Sequence, residues 1–264
     1  MIYDKQGIPL YVYDLPLGPR YNPTTVALFA LKSYQLRDME SFRRAVRWLI
    51  DHGRIRGKAL VWYITFPFPP RAERSMWVSG MTQGLVASVM ARAFYAFKDK
   101  LLLKYAVGAV KGMLIPLKEG GPLLVRGEDI WIEEYPLERP PKHVLNGFIF
   151  SILGIRDVYL ITGERDYYDL FLRCTTTLRR NMHLFDLGLW SKYDASVIAP
   201  PHYHFLNTLL VYVIGLLVNA EDLLATAWRW MVGYRTLGKV AGVALGNIAF
   251  KACLRRLLSA LRLI

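Results

Sequence analysis

The sequence predicts a mainly α fold: an (α/α)4 barrel of about four helical hairpins, with short β-hairpins at one end. Two observations carry that expectation. Apolar stripes at helical spacing come in pairs, and the pairs recur at intervals of roughly 60 residues. Within each pair the first helix is the more continuously apolar, as at 85–90, 148–153 and 209–217. An inner ring of buried helices, wrapped by an outer ring with one wet face, produces that contrast. The same hairpins left unclosed would make an open α-solenoid.

The elements follow in order. The first pair spans 23–36 and 39–52, with Asn22 as N-cap and Pro23 at the first helical position. In its second helix Phe42, Ala45, Val46, Leu49 and Ile50 form one apolar stripe. The second pair spans 79–98 and 100–115, the third 144–162 and 165–185, the fourth 203–219 and 221–234. Between them, 59–66, 123–134 and 187–197 read as strands or loops. Residues 1–236 are thus expected to form the barrel, and 237–264 an extension. In that extension Phe250, Leu254, Leu257, Leu258, Leu261 and Ile264 share one helical face, with Lys251, Arg255, Arg256 and Arg262 off it. A basic amphipathic helix of this kind either lies in a membrane interface or packs on its own barrel or on a second copy in a homodimer.

Composition narrows the partners. Of 264 residues, 53% are hydrophobic and 21% charged, which excludes a disordered chain, and the net charge of +13 attracts polyanions or anionic membranes. The basic residues are not gathered into one arm and no nucleic-acid motif is present, so an acidic polysaccharide is the expected partner rather than nucleic acid. The two cysteines, Cys174 and Cys253, make neither a zinc site nor a disulfide framework. The longest apolar run, 205–218, is short of the ~20 residues a membrane span needs. MIYDKQGIPL has no signal-peptide pattern, so a cytoplasmic or peripheral-membrane location is expected.

The stretch WIEEYPLERPPKHVLNGFIF concentrates chemistry. Glu133, Glu134 and Tyr135 stand on a short extended segment, and Asn146 follows a Pro-rich turn at a helix start. Polar groups gathered beside a buried helix are costly unless satisfied, so they mark either a site or the wet face of a β-hairpin.

With these residues in view the chain resembles the catalytic domain of the D-glucuronyl C5-epimerases. The features that carry the resemblance are SGMTQG at 79–84, WIEEYP at 131–136, VLNGF at 144–148, LFDLGLWSKYD at 184–194 and the Tyr203-His204 pair, in family order across about residues 20–235. The resemblance implies an (α/α) barrel and a minimal, prokaryotic-type member, because the animal enzymes carry an anchor and β-rich domains ahead of this region. It implies catalytic roles for Tyr135, Tyr193, Tyr203 and Glu134. It implies substrate-binding roles for Asn146, His204, Glu133, Gln83, Ser79 and Tyr21. The family arginine three residues after the YD tyrosine is Ser196 here, and the second histidine after the YH tyrosine is Asn207. The cation for the substrate carboxylate is therefore sought by neighbourhood among Lys192, Arg126 and Arg20.

The implied reaction removes the proton at carbon 5 of a D-glucuronate and returns one on the other face, giving L-iduronate. It needs two acid/base groups and neutralisation of the carboxylate, and no metal or cofactor is expected. Tyr135 or Tyr193 would take the proton and Tyr203 return it, with Glu134 orienting or relaying. Tyrosine, with a reference pKa of about 10, would need nearby cations to favour its charged form. Two other readings share these features: a uronate lyase that begins with the same proton abstraction, and a non-catalytic helical protein that binds acidic glycan or membrane.

Overall fold

A computed structural model describes residues 2–69 and 71–240. Eight α-helices form four consecutive antiparallel hairpins: α1 (Pro23–Gln35) and α2 (Met39–His52), α3 (Gly80–Phe97) and α4 (Lys100–Met113), α5 (Leu145–Thr162) and α6 (Arg165–Arg180), α7 (Pro201–Leu217) and α8 (Glu221–Val240). The helices predicted for the four pairs are all present. The sixth stops at Arg180, five residues early, and a short 3-10 turn, Met182–Leu184, follows it. The expected boundary at residue 236 falls within α8. The amphipathic face from Phe250 to Ile264 lies outside the described residues.

Local chemistry starts the first four helices. Asn22 Oδ1 accepts from Thr24 N at 2.9 Å, Asp38 Oδ1 from Ser41 N at 3.0 Å, Ser79 Oγ from Thr82 N at 3.4 Å and Asp99 Oδ1 from Leu101 N at 2.8 Å. Each of these bonds satisfies a donor that a helix start leaves orphaned. The first helix of every pair packs on its counterpart in the next: α1 on α3, α3 on α5, and α5 on α7. These four are the inner helices. α3 and α5 make the most intimate crossing, because Gly84 and Gly154 let the two backbones touch. A Cβ on Gly84 would stand 2.6 Å from the Phe150 carbonyl oxygen.

α5 is apolar over most of its length. Over Leu145–Thr162 its mean hydropathy of 1.3 makes it long and apolar enough to cross a membrane, yet 67% of it is buried inside the fold. It packs against α3, α6 and α7, the position of a core helix.

Nine short strands complete the described residues. β1 (Ile2–Tyr3), β2 (Pro9–Val12) and β3 (Pro19–Arg20) form an antiparallel sheet ahead of α1. Ahead of α3 come the pairs β4 (Arg54–Arg56) with β5 (Ala59–Val61) and β6 (Tyr63–Ile64) with β7 (Trp77–Val78). Ahead of α5 comes β8 (Leu123–Arg126) with β9 (Asp129–Ile132). The stretch before α7 has only isolated bridges, Asp186 to Ser191 and Lys192 to Ile198. The N-terminal sheet has no counterpart in the sequence reading, since strands of two to four residues are too short to show alternation. The plan that results is simple: an extended segment precedes each inner helix, and the chain enters every inner helix at the same end of the barrel.

Candidate active site

That end is where the sequence-predicted residues gather. Thr24 lies in the first turn of α1, Ser79 caps α3, Asn146 is the second residue of α5 and Tyr203 the third of α7. Four helix N-termini, each with a partial positive charge, therefore surround one mouth, which favours an anion there. The segments before the helices supply the rest: Tyr13 from the first, Phe68 and Arg71 from the second, Glu134 and Tyr135 from the third, Tyr193 from the fourth. Hydrogen bonds lock these segments to the helix starts. Gly80 N donates to the Glu133 carbonyl at 2.9 Å, and Leu145 N to the Tyr193 carbonyl at 3.1 Å. A cleft of about 580 Å3 opens between α1 and α7, lined among others by Tyr13, Asn22, Thr24, Glu134, Asn146 and Tyr203. That volume lies within the range of small-molecule sites.

The paired glutamates have opposite fates, because successive side chains of an extended segment point to opposite sides. Glu133 is committed to His143. Its Oε1 lies 2.5 Å from Nδ1 of that residue, and its Oε2 accepts from the His143 backbone N–H at 3.2 Å. Glu134 is equally buried but its Oε2 has no hydrogen-bond partner, and neither has Nδ2 of buried Asn146. Both residues line the cleft. An acceptor and a donor buried without partners are expensive unless a ligand completes them. Gly147 makes room for this carboxylate, since a Cβ there would run into Glu134 Oε2.

The three tyrosines form one neighbouring group. Tyr193 stands near enough to both Tyr135 and Tyr203, and Tyr135 to Glu134, for each to shift the other's titration. The Tyr193 and Tyr203 rings meet edge to face at 4.7 Å between centroids. Arg71 lies over the rings of Tyr135 and Tyr193, its guanidinium carbon 5.4 and 5.6 Å from their centroids. It is held by Asp194 at 2.7 Å and Glu138 at 3.0 Å. Burial opposes the charge on Arg71, but Asp194 and Glu138 more than offset it, so the guanidinium stays protonated. Asp194 is fixed in turn by Ser196, whose N and Oγ each donate to its Oδ1 at 2.8 Å.

Electrostatics at the mouth corrects another expectation. Burial pushes Glu134 up to about 7, against the Tyr135 hydrogen bond and the charge of Arg71. Burial and the Glu134 charge then raise Tyr135, Tyr193 and Tyr203 above the usual phenol value instead of lowering them. The resting site therefore holds neutral phenols beside a carboxyl that titrates near neutrality, not a preformed phenolate.

Other predicted site residues are placed elsewhere. Gln83 is buried in a seam: its Oε1 accepts from Trp62 N at 2.9 Å, and its Nε2 donates to the Leu60 and Ala109 carbonyls at 2.8 and 3.2 Å. His204 is buried, with Nδ1 accepting from Ser191 N at 3.0 Å and Nε2 donating to the Trp230 carbonyl at 3.1 Å. Burial pushes it down to about 4, a neutral ring with both nitrogens occupied by the protein. Tyr21 donates to Asp4 at 2.7 Å at the exposed start of α1. Ser79 lines a smaller recess with Glu134 and Tyr135. Of the three cations sought near the carboxylate, Lys192 donates to the Ala195 carbonyl at 3.4 Å, Arg20 is exposed on β3, and Arg126 is exposed on β8, paired across the hairpin with Asp129. Asp129 begins the strand that leads to Glu134, which puts Arg126 roughly 16 Å of extended chain away. The cation that does stand on the tyrosines, Arg71, was missed. Its segment, Pro69-Pro70-Arg71-Ala72, carries no periodicity, and its partner Glu138 is 67 residues on. Tyr13 and Asn22, joined by a 2.6 Å hydrogen bond on the α1 side of the cleft, carry no signal beyond the helix cap.

Comparison with known proteins adds to this geometry. The model of a family described as D-glucuronyl C5-epimerase C-terminus matches residues 56–232. The chain is 33% identical over 233 residues to the D-glucuronyl C5-epimerase of Caenorhabditis elegans, covering 77% of this chain and 36% of that protein. It is 32% identical over 155 residues to an uncharacterized protein of Methanocaldococcus jannaschii, covering 57% and 50%. It thus spans half or less of the length of these curated relatives. Among solved structures it superposes on a GH76 alpha-mannanase of Bacteroides thetaiotaomicron with a TM-score of 0.55 at 17% identity, over 81% of this chain and 61% of that one. It also superposes on the endo-beta-1,4-glucanase CMCax of Acetobacter xylinum with a TM-score of 0.54 at 13% identity, over 82% and 72%. Likenesses this remote in sequence speak for the (α/α) fold alone.

Proposed function

This chain belongs to the D-glucuronyl C5-epimerase C-terminal family, and from that premise we propose that it inverts carbon 5 of D-glucuronate to L-iduronate within an acidic polysaccharide. The observation that carries the reading is a pair of buried, unpartnered groups on residues of the cleft wall, Glu134 Oε2 and Asn146 Nδ2, beside three neighbouring tyrosines. Asn146 donates to a sugar oxygen, and the helix N-termini around the mouth favour the substrate's carboxylate. The uronate ring sits between Tyr203 and the Glu134–Tyr135 pair.

The proton path follows from the shifted titrations. A neutral Tyr135 becomes a base only as its own proton moves on to Glu134, so the two act together: the carbon-5 proton goes to the phenol oxygen while the phenolic proton goes to the carboxylate. Tyr203, also a neutral phenol, returns a proton to the opposite face. Tyr193, beside both Tyr135 and Tyr203, reconnects the two ends so that protonation states reset between turnovers. Arg71 over Tyr135 and Tyr193 supplies the fixed positive charge that limits the cost of negative charge building nearby.

The test is exchange. The protein is incubated with a glucuronate polymer in deuterated water, and deuterium at carbon 5 and iduronate signals are read by NMR. Both should appear. An ultraviolet rise from an unsaturated uronate would instead identify a lyase. Binding without exchange would leave a glycan-binding protein.

A further inference from the structure

A second cavity, of about 670 Å3, has Arg71 as one wall and shares no lining residue with the cleft. Arg74, Lys118 and Arg139 also line it, together with Glu73, Glu138, Leu117 and Leu137. Glu138 is already paired with Arg71 at 3.0 Å. That leaves Arg74, Lys118 and Arg139 against the single carboxylate of Glu73. Arg139 is held in place, its Nη1 donating to the Pro136 and Glu138 carbonyls at 2.6 and 2.9 Å. A concave surface with excess positive charge focuses the potential on whatever enters, and the two leucines offer an apolar floor of the kind a sugar ring covers. Arg71 places this groove directly beside the tyrosines, since the same guanidinium lies 5.4 Å from the Tyr135 ring centroid.

We propose that the groove is an anion subsite for the glycan chain flanking the reacting uronate, taking a carboxylate or sulfate ester through Arg74, Lys118 and Arg139. Arg71 is the wall it shares with the catalytic tyrosines. The inference rests on the uronan reading of the cleft and adds a site that the chemistry at carbon 5 does not itself require. It gives the enzyme a way to prefer a polymer over a short fragment. Binding energy is gained at a residue that does not react, and it appears in KM.

The experiment compares the wild-type chain with Arg74→Ala/Lys118→Ala, two exposed positions whose truncation leaves the folded state intact by circular dichroism and melting. Carbon-5 exchange is followed on three substrates: an unsulfated glucuronate polymer, its sulfated form, and a trisaccharide centred on glucuronate. The expected result is a polymer KM raised about tenfold, equivalent to about 1.4 kcal/mol, with kcat unchanged and the trisaccharide unaffected. A rise on both polymers assigns the groove to carboxylates, and a rise on the sulfated one alone assigns it to sulfate esters. An unchanged KM on both polymers, or an equal rise on the trisaccharide, overturns the proposal. If the wild type exchanges no substrate, the epimerase reading fails. Calorimetric titration of the same polymers then decides the groove: weaker binding by the variant supports it, and equal binding overturns it.

Discussion

In the seam where α3 meets α4 and β5, the buried amide of Gln83 makes three hydrogen bonds to the protein's own backbone. At the mouth of the same barrel the buried amide of Asn146 leaves its Nδ2 with no partner. The carboxylates repeat the contrast, Glu133 being closed by His143 while Glu134 is open. Side-chain chemistry and burial are alike in each pair, so neither separates a framework residue from a working one. Within these two pairs, completion does. A seam that meets its own hydrogen-bonding needs holds elements together, whereas a mouth that leaves them unmet has stored binding capacity for something else.

The contrast breaks if the mouth can be changed without losing function. Tyr203→Phe and Tyr135→Phe should each lower kcat for carbon-5 exchange by about 10²–10⁴ with little change in melting temperature. Exchange at the wild-type rate in both variants would remove the proposed proton path. The seam should behave in the reverse way. Gln83→Ala leaves Trp62 N–H and the Leu60 carbonyl without the Gln83 amide, removes a second bond from the Ala109 carbonyl, and should cost roughly 2–3 kcal/mol of stability in denaturant unfolding.

Acidity separates an open residue of the mouth from one that the protein has closed, by sign. Glu134 has its folded value raised to about 7 from 4.5. It therefore adds stability that is full below pH 4.5 and is lost as pH rises through 7, on the order of 3 kcal/mol across the window. Glu134→Gln should remove that slope, together with any rise of kcat near neutrality. His204, pushed down to about 4 from 6.5, does the opposite: its contribution is full above pH 6.5 and is lost as pH falls through 4, by ~2–3 kcal/mol. Equilibrium unfolding of wild type, Glu134→Gln and His204→Gln across this range checks both signs. The smallest effects belong to residues that neither region uses. Arg126→Ala on its hairpin and Tyr21→Phe at the exposed start of α1 should change exchange by less than about twofold and stability by about 0.5 kcal/mol or less. A large loss from either would redraw the mouth.

Much of this was legible in the chain. Helical period and the Asn22–Pro23 start placed the hairpins, because amphipathic spacing and a helix cap are local signals. Glu134, Tyr135, Asn146 and Tyr203 were found by their proximity to helix starts and by motif. The motif gave Glu133 and His204 substrate-binding roles beside the catalytic Glu134 and Tyr203, whereas in the fold both are taken up by protein partners. Neighbours in sequence share a motif but point to opposite sides, and the partner that occupies one of them is chosen by packing. Ser191 and Trp230 capture His204 from two other segments. Arg71 was invisible for the same reason: it has meaning only through Glu138, Asp194 and two tyrosine rings, all remote in the chain.

The sequence by itself determined the helices, their pairing and which of each pair turns inward, since these depend on the spacing of apolar side chains within one or two turns. It also determined the basic character that favours an acidic partner. Tertiary structure decided which polar residues are finished and which are left open, the upward shift of the tyrosines and Glu134, and the place of Arg71. Those outcomes depend on desolvation and on distances between segments far apart in the chain, quantities that exist only once the hairpins have packed.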